Sequence, residues 1–329
     1  MDNKKFILIF SLILSLCIFS AGCISGDGIN DDEKNKVIIT EETENSVSLE
    51  SGKDILVSFM DKAAGYAKEN GKEKALKAFN DNNGEFIDGN LYIYAYDFNG
   101  TLIAHPYQPE LVGTDRLNWT TANGLQFVKA SSDAARNGEG YVMYMYPSPG
   151  KSGEINESAS DLYEPKIGYV KKIDDEWWIG SGIYLSEYID KANNKMPEVI
   201  QDEIDFTNNA VEFAKENGRE KALAEISNTS GKFVQGNLYI YAYDFNGTLL
   251  AHPYLTDKTG KNLNEKTGPY GVRSVEVLSK KAKLGGGYVI FGWENPSNDN
   301  KPELKLGYVK PVDENWWLGT GVYMSDLTR

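Results

Sequence analysis

The chain has 329 residues, of which 41% are hydrophobic and 12% aromatic, a length that suits about two ordinary domains with sizeable cores. Its formal net charge of -14 excludes a nucleic-acid partner, because nothing in that balance displaces counterions from a phosphate backbone. The 2 cysteines are Cys17 and Cys23, so a disulfide, a thiolate metal site and a cysteine nucleophile are excluded from everything downstream.

Lys4 and Lys5 precede an apolar run from Phe6 to Phe19, followed by Ser20-Ala21-Gly22-Cys23. A short basic region, a short apolar stretch and small residues before a cut point mark a secretory signal. The apolar run is shorter than the roughly 20 residues of a spanning helix. The cysteine after Ala-Gly resembles the lipobox of a prokaryotic lipoprotein, although Ser20 stands where leucine is usual. The expectation is a signal peptide over residues 1–22 and a lipid on Cys23, with an uncleaved signal-anchor as the alternative. Both tether the protein outside the cytoplasm. Residues 23–50, rich in Asp, Glu, Asn and Ser, read as an acidic tether too polar to bury a core.

An internal repeat follows. Gly89–Leu102 recurs unchanged as Gly236–Leu249, and Ala-His-Pro-Tyr follows in both copies, at Ala104–Tyr107 and Ala251–Tyr254. Ala67–Gly71 returns as Ala214–Gly218, Gly168–Lys171 as Gly307–Lys310, and Trp177-Trp178 as Trp316-Trp317. Two domains are therefore expected, over 51–190 and 196–329.

Within a copy, Ile55, Leu56, Phe59, Met60, Ala63, Ala67, Leu76 and Phe79 recur in steps of three and four, the mark of an amphipathic helix. Asn70-Gly71 breaks it. Leu91–Phe98 and Thr101–His105 predict two strands around the hairpin signal Asn99-Gly100. A helical stretch is expected over 119–137, then strands at Tyr141–Tyr146, Lys166–Ile173 and Trp177–Tyr184. This order predicts an α+β fold, a five-stranded antiparallel sheet packed on a leading helix in each copy.

The hairpin Tyr-Asp-Phe-Asn-Gly-Thr-Leu leading into Ala-His-Pro, the aromatic strand ending Tyr146-Pro147-Ser148-Pro149 or Trp293-Glu294-Asn295-Pro296, and the closing Gly-Tyr-Val-Lys with Trp-Trp resemble Cache domains, the PAS-like extracellular sensor modules of prokaryotic receptors. The nearest variety is the single-module Cache_2 type, here in tandem. The resemblance implies a pocket for a small ligand of the carboxylate or amino acid class, without catalysis and without a cofactor or metal. Because the chain ends at Arg329, the expectation is that it signals through a membrane receptor partner.

On Leu91–Phe98 the aliphatic and aromatic residues alternate, which puts them on opposite faces. The aromatic face, with Tyr94 and Tyr241, is expected to line the pocket, and the aliphatic face to pack on the leading helix. His105 and His252 are the 2 histidines and hold equivalent positions. Each is expected either to donate to a carboxylate and titrate near neutral pH or to bond its own turn. Lys166 and Lys305 are the candidate cations for an acidic ligand, with Lys171, Lys310, Arg116 and Arg273 as further basic residues. One tryptophan of each pair is expected in the core and the other as a cap on the pocket.

The copies differ at Tyr144 against Phe291, Met145 against Gly292 and Tyr146 against Trp293, so the two pockets are not expected to share one ligand. Two other readings stay open: a structural or adhesive surface protein without a ligand, and, with weaker support, a surface hydrolase. Against an enzyme stands the lack of any Ser-His-Asp or metal-ligand cluster in the sequence.

Overall fold

A computed structural model describes residues 49–147, 163–187 and 198–327. The signal, Cys23 and the tether up to residue 48 lie outside the described residues. Among the described residues, no helix is long and apolar enough to cross a membrane.

Each copy opens with a long helix that ends at a glycine. In the first, α1 (Leu49–Asn70) and α2 (Lys72–Phe79) are separated by Gly71, whose φ of 80° few other residues adopt. Met60, Ala63, Ala64 and Ala67 give α1 a buried stripe of small and apolar side chains. A two-stranded hairpin of β1 (Ile87–Asp88) and β2 (Leu91–Tyr92) follows, which the sequence reading did not anticipate. Then come β3 (Tyr94–Asp97), β4 (Leu102–Ala104), α3 (Phe127–Arg136), β5 (Glu139–Pro147), β6 (Tyr163–Lys172) and β7 (Trp177–Tyr184).

The strands β4-β3-β7-β6-β5 form one five-stranded sheet, antiparallel throughout. The expected strand 91–98 is therefore split at Ile93 between a small hairpin and the main sheet. Gly100 turns β3 into β4 at a φ of 92°, and a Cβ there would stand 2.5 Å from that of Leu117. The turn requires glycine on both counts.

The second copy repeats the plan with α4 (Glu198–Asn217), α5 (Arg219–Ile226), β8 (Val234–Gln235), β9 (Leu238–Tyr239), β10 (Tyr241–Asp244), β11 (Leu249–Ala251), α6 (Ser274–Lys283), β12 (Gly287–Asn295), β13 (Lys301–Pro311), β14 (Trp316–Tyr323) and α7 (Met324–Leu327). Its sheet order is β11-β10-β14-β13-β12. The fold is thus α+β, two five-stranded antiparallel sheets, each with a long helix on one face and a connecting helix on the other.

The connecting helix of the first copy is shorter than expected, because residues 119–126 form turns. These turns reach the second copy: the Asn123 side-chain amide donates to the Ile290 carbonyl at 2.5 Å, and the Gln126 N–H donates to the Tyr270 carbonyl at 2.9 Å. A backbone committed to partners outside the segment leaves the helical ladder.

Candidate functional site

In the second copy the sheet face turned toward α6 encloses a cavity of about 20 Å³, close to the space of one water molecule. Its floor is aromatic, with Tyr239 of β9 and Tyr241 and Tyr243 of β10. Strand alternation alone sets Tyr241 and Tyr243 on this face, while Ala242 points to the other. Phe291 and Trp293 of β12, Lys305 of β13 and His252 after β11 complete the sheet side, and Ser274, Val275 and Leu278 of α6 form the lid. Five residues expected from the sequence thus meet in one wall: Tyr241, His252, Phe291, Trp293 and Lys305.

Lys305 is 1% exposed, and its ammonium donates to the Tyr239 hydroxyl at 3.1 Å. It also lies 4.2 Å from the Tyr239 ring centre and 4.5 Å from that of Tyr323. Aromatic faces partly replace the hydration the ammonium gives up. Gly321 makes room for this arrangement, since a Cβ there would stand 2.7 Å from Cε of Lys305. Among the described residues, no carboxylate side chain lines the cavity.

His252 uses Nδ1 as an acceptor for the N–H groups of Tyr254 and Leu255, at 3.0 and 3.2 Å. That bonding places the proton of the neutral ring on Nε2, which remains a donor. Burial first, and the Lys305 charge second, lower its pKa to about 3. His105 in the first copy accepts from the Tyr107 N–H at 3.2 Å, and burial, then Lys166 and Arg116, lower it likewise to about 3. The expectation that these histidines titrate near neutral pH is therefore corrected. They sit in the folded chain as neutral rings that fix their own turns.

The first copy builds the same face with different fill. Tyr94 lies over Gly180, where a Cβ would stand 2.4 Å from its ring, and 6.0 Å from Phe127 of α3. It is therefore on the face opposite α1, as expected from alternation. Tyr144 packs against Phe127 with ring centres 4.1 Å apart and planes tilted by 41°, and is followed on the same face by Tyr146, whose hydroxyl donates to Gln108 at 2.8 Å. Lys166 is fully buried beneath the rings of Tyr92 and Tyr184, at 4.4 and 4.3 Å, and burial lowers its pKa to about 7. Phe127 thus occupies, against Tyr94 and Tyr144, the place that Ser274 holds against Tyr241 and Phe291.

Sequence reasoning missed the residues that form the lid. The signal for them was present: aligning the copies sets Phe127 opposite Ser274 and Ser131 opposite Leu278. The tryptophans also differ from expectation. Trp178 stacks on Tyr96 at 5.1 Å and Trp317 on Tyr243 at 5.2 Å, so they buttress the aromatic floor from within the core and do not cap it. Lys171 pairs with Asp61 and Glu139, and Lys310 donates to Asn208, both on the leading-helix side. Arg116 lies over Trp119, and exposed Arg273 pairs with Glu265. None of these four lines the cavity. Among the described residues, no cluster of His, Cys, Asp or Glu is arranged to hold a metal ion.

Over 90 residues the chain is 34% identical to the sensor histidine kinase MctS of Rhizobium johnstonii, a match spanning 27% of this chain and 19% of that kinase. It therefore covers about a fifth of this relative's length. A solved Cache chemosensory domain, described for carboxylic acid recognition, is 24% identical, with 42% of this chain and 97% of that one covered and a TM-score of 0.33. The ligand-binding domain of the Pseudomonas fluorescens chemoreceptor CtaA, solved with L-isoleucine, is 12% identical over 84% of this chain and 86% of its own, with a TM-score of 0.26. A single family model, dCache_2, described as a Cache domain, matches residues 29–328 and so spans both copies at once. The chain belongs to the Cache family of extracellular sensor domains.

Proposed function

We propose that this chain is the ligand-binding part of an extracytoplasmic sensor, and that its second copy binds a small carboxylate. The observation that carries this reading is the cavity under α6, where a buried ammonium and neutral donors converge on an aromatic floor without a carboxylate among the lining side chains. Lys305 and Nε2–H of His252 offer an anion charge-assisted hydrogen bonds in a low-dielectric site, while the Tyr239 hydroxyl, which accepts from Lys305 and lies 3.4 Å from the Tyr323 hydroxyl, holds the ammonium in place. An amino acid would also bring an ammonium group, for which the lining side chains offer no anionic partner. This ranks a plain carboxylate above an amino acid or an amine. The cavity must widen to admit one, and Trp293, half-buried at the rim beneath Lys266, is the side chain placed to move.

Tethering through a lipid on Cys23 fits the run Lys4-Lys5, Phe6–Phe19 and Ser20–Cys23, and passing the bound state to a membrane receptor partner fits a sensor domain on such a tether. The domains acting in this way are residues 51–190 and 196–329.

A thermal-shift screen of the chain against short carboxylates, amino acids and amines tests the proposal. A ligand at 100 times its dissociation constant adds about 2.7 kcal/mol to stability. Carboxylates are expected to shift the transition of the wild type and of Lys166→Met, and to leave Lys305→Met unshifted. A shift by amines alone, or one abolished by Lys166→Met and retained by Lys305→Met, would overturn it.

A further inference from the structure

Ser274 is the first residue of α6, is 2% exposed, lines the cavity, and its hydroxyl has no hydrogen-bond partner among the described residues. The usual local uses of a serine here are not taken up. Position one of a helix has no carbonyl one turn back within the helix to bond, and the preceding cap position, Arg273, makes no side-chain cap either. A buried hydroxyl left unpaired is costly, so its partner is to be sought in whatever enters the cavity. The other unpartnered serines of the connecting helices, Ser131, Ser132 and Ser279, do not line this space.

The two copies make the point sharper. Residues four apart share one helix face. On that face the first copy carries Phe127 and Ser131 and the second carries Ser274 and Leu278, so the order of bulky and small side chains is exchanged. The bulk moves one turn along the helix, and a hydroxyl replaces an aromatic ring beside Phe291 and Tyr241. Ser274 comes from the lid, whereas Lys305 and Tyr239 come from the sheet, so a mostly apolar lining carries polar side chains at two separate loci.

We infer that Ser274 is a specificity-determining residue that pairs with a second oxygen on the ligand, so that the cavity selects a short hydroxy- or oxo-carboxylate over the plain alkyl acid of the same length. The inference rests on the carboxylate reading proposed above. The sheet locus takes the carboxylate, and the lid hydroxyl takes the oxygen on the neighbouring carbon. A plain acid leaves Ser274 unpaired, which is the arrangement in which hydrogen-bonding sites discriminate strongly.

Lactate and propionate differ by one hydroxyl and are the probes, titrated calorimetrically into the full chain and into its Ser274→Ala, Ser274→Phe and Lys305→Met variants. Lactate is expected to bind at least about tenfold more tightly than propionate in the wild type. Ser274→Ala, which adds no bulk, should erase that preference while propionate affinity stays the same, and Ser274→Phe should abolish binding of both. An unchanged lactate preference in Ser274→Ala, or a wild type that favours propionate, overturns the inference alone. Failure of the wild type to bind either acid, or binding that Lys305→Met leaves intact, overturns the carboxylate reading and this inference with it.

Discussion

The two copies share Gly89–Leu102 and Gly236–Leu249 residue for residue, and both fold this stretch into the same hairpin and edge of the sheet. What stands above that shared floor is not the same. The first copy sets Phe127 against Tyr144, and the second sets Ser274 beside Phe291 over a cavity. On the opposite face Leu56 of α1 is replaced by Glu203 of α4, both buried to 1% exposure or less. Met145 becomes Gly292, whose missing Cβ would meet the Pro269 carbonyl at 2.5 Å. One scaffold thus carries an aromatic plug in one copy and, in the other, a small, mostly apolar cavity bordered by a few buried polar side chains. The comparison teaches that duplication preserved the strand chemistry while a handful of facing residues decided what each copy can hold.

The largest effect expected from breaking this contrast is at the plug. Phe127→Ala removes a buried ring with a close aromatic partner and should cost about 3–5 kcal/mol in denaturant unfolding. Ser274→Ala, at the equivalent site, should change stability little or raise it slightly, because it deletes a hydroxyl that has no partner among the described residues. Equal losses from the two would mean that the copies are filled alike.

Next in size is the exchange on the other face. Glu203 is fully buried, and its carboxylate has no side-chain hydrogen-bond partner among the described residues. Burial pushes its pKa well above the ordinary value of 4.5, against the pull of the Lys305 charge. A carboxyl with a raised folded pKa destabilises progressively as pH rises above its unfolded value, since the unfolded chain then releases the proton more readily. Glu203→Leu, which restores the residue type of the first copy, should therefore stabilise by about 1–4 kcal/mol at pH 7 and by much less at pH 4.

A smaller effect, of opposite pH sense, is expected at Lys166. Burial lowers its pKa from 10.5 to about 7, so the unfolded state binds the proton more strongly between these values. The destabilisation is complete below pH 7 and fades as pH rises toward 10.5. Lys166→Met should stabilise by about 1–3 kcal/mol at pH 6 and by less at pH 10 in thermal or chemical unfolding. A gain that grows with pH would show that the aromatic cage around Lys166 outweighs its desolvation.

The architecture was legible because its signals are local. Asn99-Gly100 and Asn246-Gly247 announce tight turns, Gly71 and Gly218 announce helix breaks, and strict alternation on Tyr94–Asp97 sorts one face from the other. The matching positions of Lys166 and Lys305 were legible as well, and both hold the same register on the same strand, opposite Tyr144 and Phe291, whereas their burial is set only by the folded sheet. The titration of His105 and His252 was not, because depth of burial sets it and burial is not a property of the turn that contains them. Nor was the shortened α3, whose first expected turns are diverted to the Ile290 and Tyr270 carbonyls of the other copy.

The sequence by itself determined the duplication, the order of helices and strands, the aromatic face and the matching positions of Lys166 and Lys305, because periodicity, turn chemistry and repetition act over a few residues at a time. The tertiary structure alone decided what lines the cavity of the second copy, what forms its lid and which buried polar groups find partners. Those outcomes depend on volumes and hydrogen bonds contributed together by α6, β10, β12 and β13, and side chains from four separated segments compete for one space only once the chain is folded.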